Sequence, residues 1–254
     1  MKKIIVAPQI VIYKNFFKHN SELINILKND NNDSQFCNWN KWYEQGFRKN
    51  CVHTISENPN EVNKEKKYLD EFCNIINFIK KDYFSEFENE NGIWPSFISD
   101  WEFLKKEIKT FEIDYFKYDI EKLKDRQEDK LLMEYHVDDF LIYDNVKHSR
   151  HIATINLYLN DDYSGGEICA YDSITKKSYK FKPSAGDFII MPSTKPFYHA
   201  VKVFKKADRY FLRTFIDYPV DGIKDINQYN KEYENYIFND RQMLKIKLDE
   251  ETVE

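Results

Sequence analysis

The feature that most constrains the fold is a change of hydrophobic period near residue 111. Beyond it, short runs rich in aromatic and β-branched residues alternate with turns, which favours β-strands. These runs span 131–138, 152–159, 179–182, 187–191, 197–203 and 209–216. Many short strands at such spacing predict a mainly β core, either a barrel or a jelly roll.

The chain before residue 111 carries mostly helical patterns. From 61 to about 87 the apolar residues follow a 3.6-residue period, which is typical of an amphipathic helix packed by one face. The run 4–13, broken at Pro8, predicts a strand or a strand pair. A short helix is expected after Asn20, and a further helix-like stretch lies near 99–109.

Three regions follow from these patterns. Residues 1–110 are expected to form a helical or α+β extension packed on the core, and 111–220 the β core itself. Residues 221–254 are charged and compatible with a helical tail, whereas 29–60, rich in Asn, Asp and Lys, is expected to be irregular surface.

Composition excludes several classes of protein. The chain has 254 residues, of which 42% are hydrophobic, so a packed core is expected rather than disorder. The formal net charge of −5 argues against a broad basic face for nucleic acid. No apolar run reaches the length of a membrane span, and the start is too short for a secretory signal, so a soluble cytoplasmic protein is expected. The four dispersed cysteines contain no C-x-x-C and indicate neither a zinc knuckle nor a disulfide framework.

Three residues that suit a non-haem iron site occur in order along the predicted strands. His136 and Asp138 stand at i and i+2, and therefore share one face of a strand. Together with His199 they supply the two histidines and one carboxylate of an Fe(II) facial triad. Arg209 follows and can grip a co-substrate carboxylate through its planar fork. Taken singly, each is also compatible with an ordinary strand end, a core histidine or a surface arginine.

The strand predicted around 151–160 has one apolar and one polar face. Thr154, Asn156 and Tyr158 share the polar face, which meets water in a half-exposed sheet but lines the site in a barrel with a wet lumen. In the barrel, the Tyr158 hydroxyl can share a carboxylate with Arg209. Arg213 shares the face of Arg209, and two cations inside a lumen require anions.

At this point the segment 131–216 resembles the Fe(II)/2-oxoglutarate dioxygenases, in particular the prolyl-4-hydroxylase-like group. The first 110 residues match that family only loosely. The resemblance rests on the order and spacing of the following segments: His136-Val137-Asp138, Leu157-Tyr158-Leu159-Asn160-Asp161-Asp162, Gly165-Gly166-Glu167, Phe181-Lys182-Pro183-Ser184-Ala185-Gly186-Asp187, Tyr198-His199-Ala200-Val201 and Arg209-Tyr210.

The resemblance implies a double-stranded β-helix, or jelly roll, with supporting N-terminal helices. It implies that His136, Asp138 and His199 bind Fe(II), and that Arg209, helped by Tyr158, holds 2-oxoglutarate. O₂ is then the second co-substrate. The implied reaction is hydroxylation of an unidentified small molecule or protein side chain, with release of succinate and CO₂ and with no catalytic residue beyond the metal ligands.

One departure from the family leaves alternatives open. Tyr135 directly abuts His136, where the family has a glycine-bearing loop between the strand and the metal motif. A different alignment places the metal positions near 143–146, and His136 is then incidental. The substitute ligands in that alignment are Asp144, His148 or His151. If none of them binds iron, the domain is a catalytically silent binding or structural module. The pair of arginines on the last strand also admits nucleic-acid demethylation by the same chemistry.

Overall fold

A computed structural model of the chain describes residues 2–29, 40–42, 46–56, 64–88, 98, 100–139, 141–143 and 148–219. The expected C-terminal tail, 221–254, lies outside these residues. The helices are α1 (Asn20–Asn29), α2 (Lys64–Phe87) and α3 (Trp101–Lys105). The strands are β1 (Lys2–Ala7), β2 (Ile10–Lys14), β3 (Asn40–Trp42), β4 (Gly46–Thr54), β5 (Thr110–Tyr118), β6 (Leu131–His136), β7 (Leu141–Tyr143), β8 (His148–Tyr158), β9 (Ser164–Gly165), β10 (Ile168–Asp172), β11 (Lys177–Phe181), β12 (Phe188–Pro192), β13 (Phe197–Lys202), β14 (Phe204–Lys205) and β15 (Arg209–Pro219).

Two antiparallel sheets face each other across a lumen. The major sheet has the order β1-β2-β12-β8-β15-β5-β4-β3, with β7 paired to β8, and the minor sheet has the order β11-β10-β13-β6. The central strands of both sheets pair with partners from distant parts of the sequence, such as β12 with β8 and β13 with β6, as in a double-stranded β-helix. The predicted mainly β fold is therefore confirmed.

The alternation along β8 separates an outer core from the lumen. Ile155 and Leu157 are fully buried in a cluster with α2, whereas Tyr158 belongs to the cluster between the sheets. The face of α2 includes Phe72, whose ring stacks on Phe188 with centroids 5.7 Å apart. Helix α2 therefore covers the outer face of the major sheet, and its apolar stripe is buried there.

The N-terminal hairpin β1–β2 extends the major sheet by pairing β2 with β12. The buried carboxylate of Asp187 accepts hydrogen bonds from the backbone of Asn15 at 2.8 Å and of Ser184 at 2.7 Å. Gly186 adopts φ +83°, and a Cβ there would lie 2.4 Å from the carbonyl oxygen of Phe17. This turn therefore requires glycine, and its carboxylate ties the hairpin to the barrel.

The expectation of irregular surface across 29–60 is wrong for part of that stretch, because β4 pairs with β5 along its whole length. Strand β4 buries His53 beside Asp70 while Val52 is 66% exposed. The polar residue therefore points inward and the apolar one outward, which reverses the alternation that marks a strand in sequence.

Within the described residues, no helix combines the length and apolar character needed to cross a bilayer. Cys51, Cys73 and Cys169 lie in the interior and form no disulfide among the described residues, and Cys37 lies outside those residues.

Candidate metal centre

The pairing of β6 with β13 brings two histidines together. His136 is the direct partner of His199 in this ladder, and their rings lie with centroids 4.3 Å apart. Opposite residues of an antiparallel pair point to the same face of the sheet, which here is the lumen. The sheet backbone itself therefore sets the separation of the two imidazoles.

Asp138 completes the cluster from the loop after β6. Its carboxylate oxygens lie 3.6 Å from His136 Nε2 and 3.5 Å from His199 Nε2. One ligand atom from each of the three residues falls within 4.8 Å of the others. Bonds of about 2.1 Å at right angles place neighbouring donor atoms about 3 Å apart, so a small inward movement lets these three residues bind one divalent metal.

The carboxylate of Asp138 is oriented from the major sheet. Thr154 on β8 donates a hydrogen bond to Asp138 Oδ2 at 3.1 Å, and the Thr154 hydroxyl also lies 2.7 Å from that of Ser193. A ligating carboxylate needs its own hydrogen bonds to hold its orientation. The contact also connects the metal cluster of the minor sheet to the opposite wall of the lumen.

The protonation states of two of these groups suit metal binding. Burial raises the pKa of Asp138, but the opposing charges of His199, Arg213 and His136 outweigh it and lower the pKa to about 2. Burial lowers the pKa of His199 to about 3. At neutral pH the site therefore presents an ionised carboxylate and a neutral imidazole, which are the forms that bind a metal.

The hydrogen bond of His136 selects its tautomer. Nδ1 of His136 lies 2.7 Å from the carbonyl oxygen of Glu134, and a carbonyl only accepts, so this nitrogen carries the proton. Nε2 then keeps its lone pair on the side of Asp138. Nδ1 of His199 is buried without a hydrogen-bond partner among the described residues, so no contact there fixes its tautomer.

A buried cation lies next to this cluster in the lumen. Arg209 is 1% exposed, and its Nε and Nη1 atoms have no hydrogen-bond partner in the described part of the chain. Its guanidinium lies 4.9 Å from the ring centroid of Tyr158 and 5.4 Å from that of Tyr163. Burying unsatisfied donors on a charged group is unfavourable, so the arrangement fits an anionic ligand that the protein receives from outside.

Tyr158 presents a neutral hydroxyl beside that guanidinium. Burial raises the pKa of Tyr158 to about 12, although the charge of Arg209 opposes the rise. A neutral phenol donates a hydrogen bond at neutral pH. Arg209 and Tyr158 thus offer a cation and a hydroxyl donor to the same anion.

One cavity contains both the cluster and the cation. Its aromatic wall includes Tyr118 and Phe211, and its polar lining adds Asn156 to the residues already described. The full lining is Tyr118, Met133, His136, Asp138, Asn156, Tyr158, Ile168, Met191, His199, Val201, Arg209, Phe211 and Arg213. A candidate metal cluster, a buried cation with two donors left unsatisfied by the described residues, and apolar walls in one cavity fit a metal-chelating dicarboxylate.

Arg213 is the second cation on the lumen face of β15. Its Nη2 donates to Asp114 Oδ2 at 3.0 Å, while Arg48 and Asn50 donate to Asp114 Oδ1 at 2.7 and 2.9 Å. Two guanidinium groups therefore share one carboxylate at this point.

The loop that carries Asp138 is held by a buried ion pair. Nε of Arg150 donates to Asp139 Oδ1 at 2.8 Å, and its Nη2 donates to Oδ2. A bidentate pair fixes the direction of the carboxylate as well as its position. Asp139 is the residue after the metal-cluster aspartate, so this pair anchors the chain immediately beyond the cluster.

All five residues singled out from the sequence line this cavity: His136, Asp138, Tyr158, His199 and Arg209. Their roles as metal and cofactor ligands stay predictions. Of the alternative ligands, His151 instead bonds Asp217 at 2.5 Å and stacks on Phe215, while Asp144 and the His148 side chain lie outside the described residues.

Sequence reasoning missed Tyr163, Asp114, Arg48 and the pair of Asp139 with Arg150. The period-two pattern that places Asp114, Phe116 and Tyr118 on one face of β5 was a usable signal for the first carboxylate. Tyr163 lies in a turn, Arg48 on an inverted strand and Asp139 in a loop, where no period indicates which way a side chain points. Arg150 lies on β8, before the strand predicted from 152.

Comparison with known proteins agrees with this geometry. Residues 128–217 match the 2OG-Fe(II) oxygenase superfamily. No curated protein matches the sequence. Among solved structures, a putative oxygenase from Shewanella oneidensis superposes with a TM-score of 0.52 at 11% identity, covering 90% of both chains. The dioxygenase for auxin oxidation from Arabidopsis thaliana, in complex with 2-oxoglutarate, superposes with a TM-score of 0.51 at 15% identity, covering 80% of this chain and 78% of that one. At such identities the likeness concerns the fold, and it confirms the double-stranded β-helix.

Proposed function

We propose that this chain, whose matched segment and fold point to a 2-oxoglutarate-dependent Fe(II) oxygenase, hydroxylates its substrate with release of succinate and CO₂. The observation that carries the proposal is the position of Arg209. This buried cation, two of whose guanidinium nitrogens have no hydrogen-bond partner among the described residues, shares one cavity with the cluster of His136, Asp138 and His199. A metal-binding cluster alone fits many functions. A cluster beside a guanidinium with donors that the described residues leave unsatisfied fits a chelating co-substrate with a second carboxylate.

The residues have distinct roles in this proposal. His136, Asp138 and His199 bind the metal from one side and leave its remaining positions open. When bound, Fe(II) and 2-oxoglutarate together supply oxygen activation, in which oxidative decarboxylation of the co-substrate accompanies insertion of one oxygen atom into a substrate C–H bond. Arg209 and Tyr158 hold the distant carboxylate of the co-substrate and so fix its orientation.

The walls of the lumen exclude water from the reacting atoms. Phe211 stacks on Phe116 with centroids 4.6 Å apart, and Tyr118 meets Phe211 edge-on at 5.3 Å. Tyr118 and Phe211 line the cavity that contains the metal cluster and Arg209, and Phe116 belongs to the same buried apolar cluster. A dry wall strengthens the charge interactions inside and limits side reactions with solvent.

The direct test is turnover of 2-oxoglutarate by the purified full chain. With Fe(II), O₂ and ascorbate, we expect succinate above the level of a protein-free control even without substrate. Mn(II) binding, followed by electron paramagnetic resonance, gives an independent reading of the metal site. His199→Ala should lose both signals, because it removes a ligand. His19→Ala is the matched control, since His19 is a half-buried histidine outside the cavity, beside Glu22 and Glu71.

The competing hypothesis is a silent module that keeps the fold without the chemistry. It predicts that wild-type protein folds but takes up neither Mn(II) nor N-oxalylglycine, a non-reactive mimic of 2-oxoglutarate. That pair of results would refute the proposed function. Metal uptake by the wild type that is lost in His199→Ala and strengthened by N-oxalylglycine would exclude the silent module.

A further inference from the structure

Two positions on the lumen face of β15 carry arginine, and they serve different places in the cavity. Phe211 pairs with Tyr158 and Arg213 pairs with Asn156 across the β8 ladder. Arg209 therefore lies at the closed end beside Tyr158, whereas Arg213 lies nearer to Thr154 and Asp138. Strand residues rise about 3.3 Å each, so the two arginine backbones are about 13 Å apart. One small co-substrate carboxylate does not engage both.

The inner site is electrically balanced once it is loaded, if the proposed function holds. A divalent metal and Arg209 supply three positive charges. Asp138 and a doubly charged 2-oxoglutarate supply three negative charges. Buried charge is tolerated when it is compensated in this way. Arg213 is therefore not needed to neutralise the metal and its co-substrate.

The outer site is not balanced. Asp114 is the one carboxylate that contacts Arg213 and Arg48 in the described part of the chain, so one positive charge remains. The Nε atom of Arg213 is also buried without a hydrogen-bond partner among the described residues. Because the side chain of Arg48 is 37% exposed and that of Arg213 14%, the group opens from the lumen towards solvent.

The surroundings of Arg213 hold it in place for a ligand. Its guanidinium is sandwiched between Phe116 and Phe215, with 4.6 Å to each ring centroid. Asp114 fixes one edge of the guanidinium, so the other edge keeps donors available at the cavity. A guanidinium held flat between two rings loses little freedom when it binds a planar anion.

We infer that Arg213 and Arg48, arranged around Asp114, form a second anion site that receives a carboxylate of the substrate. The single excess charge matches one carboxylate better than a doubly charged phosphate. Arg213 lines the same cavity as the metal cluster, from the opposite wall, so a substrate anchored there presents its neighbouring carbon atoms to the metal. The inference rests on the proposed function and names its substrate class as carboxylic acids, with Arg213 as a specificity-determining residue.

The test uses a matched pair of probes, 4-fluorobenzoate and 4-fluorobenzamide, which differ in charge but share a ring. Full-length protein is loaded with diamagnetic Zn(II) and N-oxalylglycine, which fill the inner site, and binding is followed by ¹⁹F NMR. We expect 4-fluorobenzoate to bind at least tenfold more tightly than the amide. Arg213→Gln and Arg48→Gln should each weaken the benzoate at least tenfold, whereas Arg126→Gln, an arginine outside the cavity, should leave it unchanged.

Three results would overturn the inference: no benzoate binding to the loaded protein, equal binding of the amide, or unchanged binding in Arg213→Gln. Arg48→Gln keeps the test valid if Arg213→Gln folds poorly, because Arg48 is partly exposed. Uptake of Zn(II) and N-oxalylglycine in the same samples reports on the proposed function separately. If that uptake fails, titrating Arg209→Met with the two probes still decides whether the outer site exists, because its inner anion site is disabled.

Discussion

Replacing Arg209 with methionine should stabilise the protein while abolishing its affinity for the co-substrate. Two buried donors of this side chain have no partner in the described residues, and each such donor costs about 1–3 kcal/mol. Losing the cation–π contacts with the rings of Tyr158 and Tyr163 destabilises the variant by about 1–2 kcal/mol and offsets part of that stabilisation. We therefore expect the free energy of unfolding of the metal-free protein to rise by about 2 kcal/mol. For a chain of this size that is an increase in Tm of about 4–8 °C.

The same substitution removes the two charge-assisted hydrogen bonds proposed for the co-substrate carboxylate, each contributing about 1.5–3 kcal/mol. Since about 1.4 kcal/mol corresponds to a tenfold change in Kd, the affinity for N-oxalylglycine should fall on the order of 100-fold or more. Scanning calorimetry measures the first effect and isothermal titration of Mn(II)-loaded protein the second.

Arg150→Met should change the free energy of unfolding in the opposite direction to Arg209→Met. Its guanidinium is paired with Asp139, so the same substitution leaves a buried carboxylate alone and should lower stability by about 3–5 kcal/mol. If Arg209→Met destabilises the protein as Arg150→Met does, or binds N-oxalylglycine normally, the reasoning from the orphaned cation is refuted.

Three further predictions concern the scaffold and the cluster. The pKa of His199 is lowered to about 3 from 6.5, so it stays neutral in the folded state while the unfolded chain takes up a proton. The free energy of unfolding of the metal-free protein should therefore fall by about 1.4 kcal/mol for each unit that the pH is lowered from 6.5 to 3. Urea titrations of His199→Gln should show a shallower fall over the same pH range. Phe72→Ala should cost about 3–5 kcal/mol by chemical denaturation, since the ring is fully buried against Phe188. Gly186→Ala should cost about 1–3 kcal/mol, because φ is +83° and the new Cβ meets a backbone oxygen; an unchanged Tm would contradict this.

The barrel core was predictable because its strands alternate in the usual sense. On β8, Ile155 and Leu157 face the helix while Thr154 and Asn156 face the lumen. The period predicted the strand and its two faces, and left open whether the polar face meets water or lines a lumen. Tyr158 was found in the same way.

The sequence supplied the three residues of the candidate metal cluster, but their spatial arrangement could not be predicted from it. His136 and His199 are neighbours because β6 pairs with β13, and nothing local to either segment fixes that long-range register. The resemblance to a family supplied the pairing that periodicity could not.

Strand β4 escaped prediction for a different reason. It lies near the edge of the major sheet, next to β5. One face carries Arg48 and Asn50, which bond Asp114, and the other face buries His53 with Asp70. Tertiary contacts that satisfy polar residues on both faces leave no hydrophobic alternation to recognise. The outer anion site was missed because half of it is on this strand.

Helix α2 covers the outer face of the major sheet and β5 pairs with β15, and both elements limit how far the chain can be truncated. The superfamily match begins at residue 128, after both elements. A fragment containing only 128–217 would keep the metal cluster but expose Ile155, Leu157 and Leu212, which α2 and its neighbours cover in the full chain. It would also expose the edge of β15 that pairs with β5 in the full chain, and an exposed strand edge promotes intermolecular strand pairing. The catalytic signature and the minimal autonomous folding unit therefore have different boundaries in this protein, and the second is the longer.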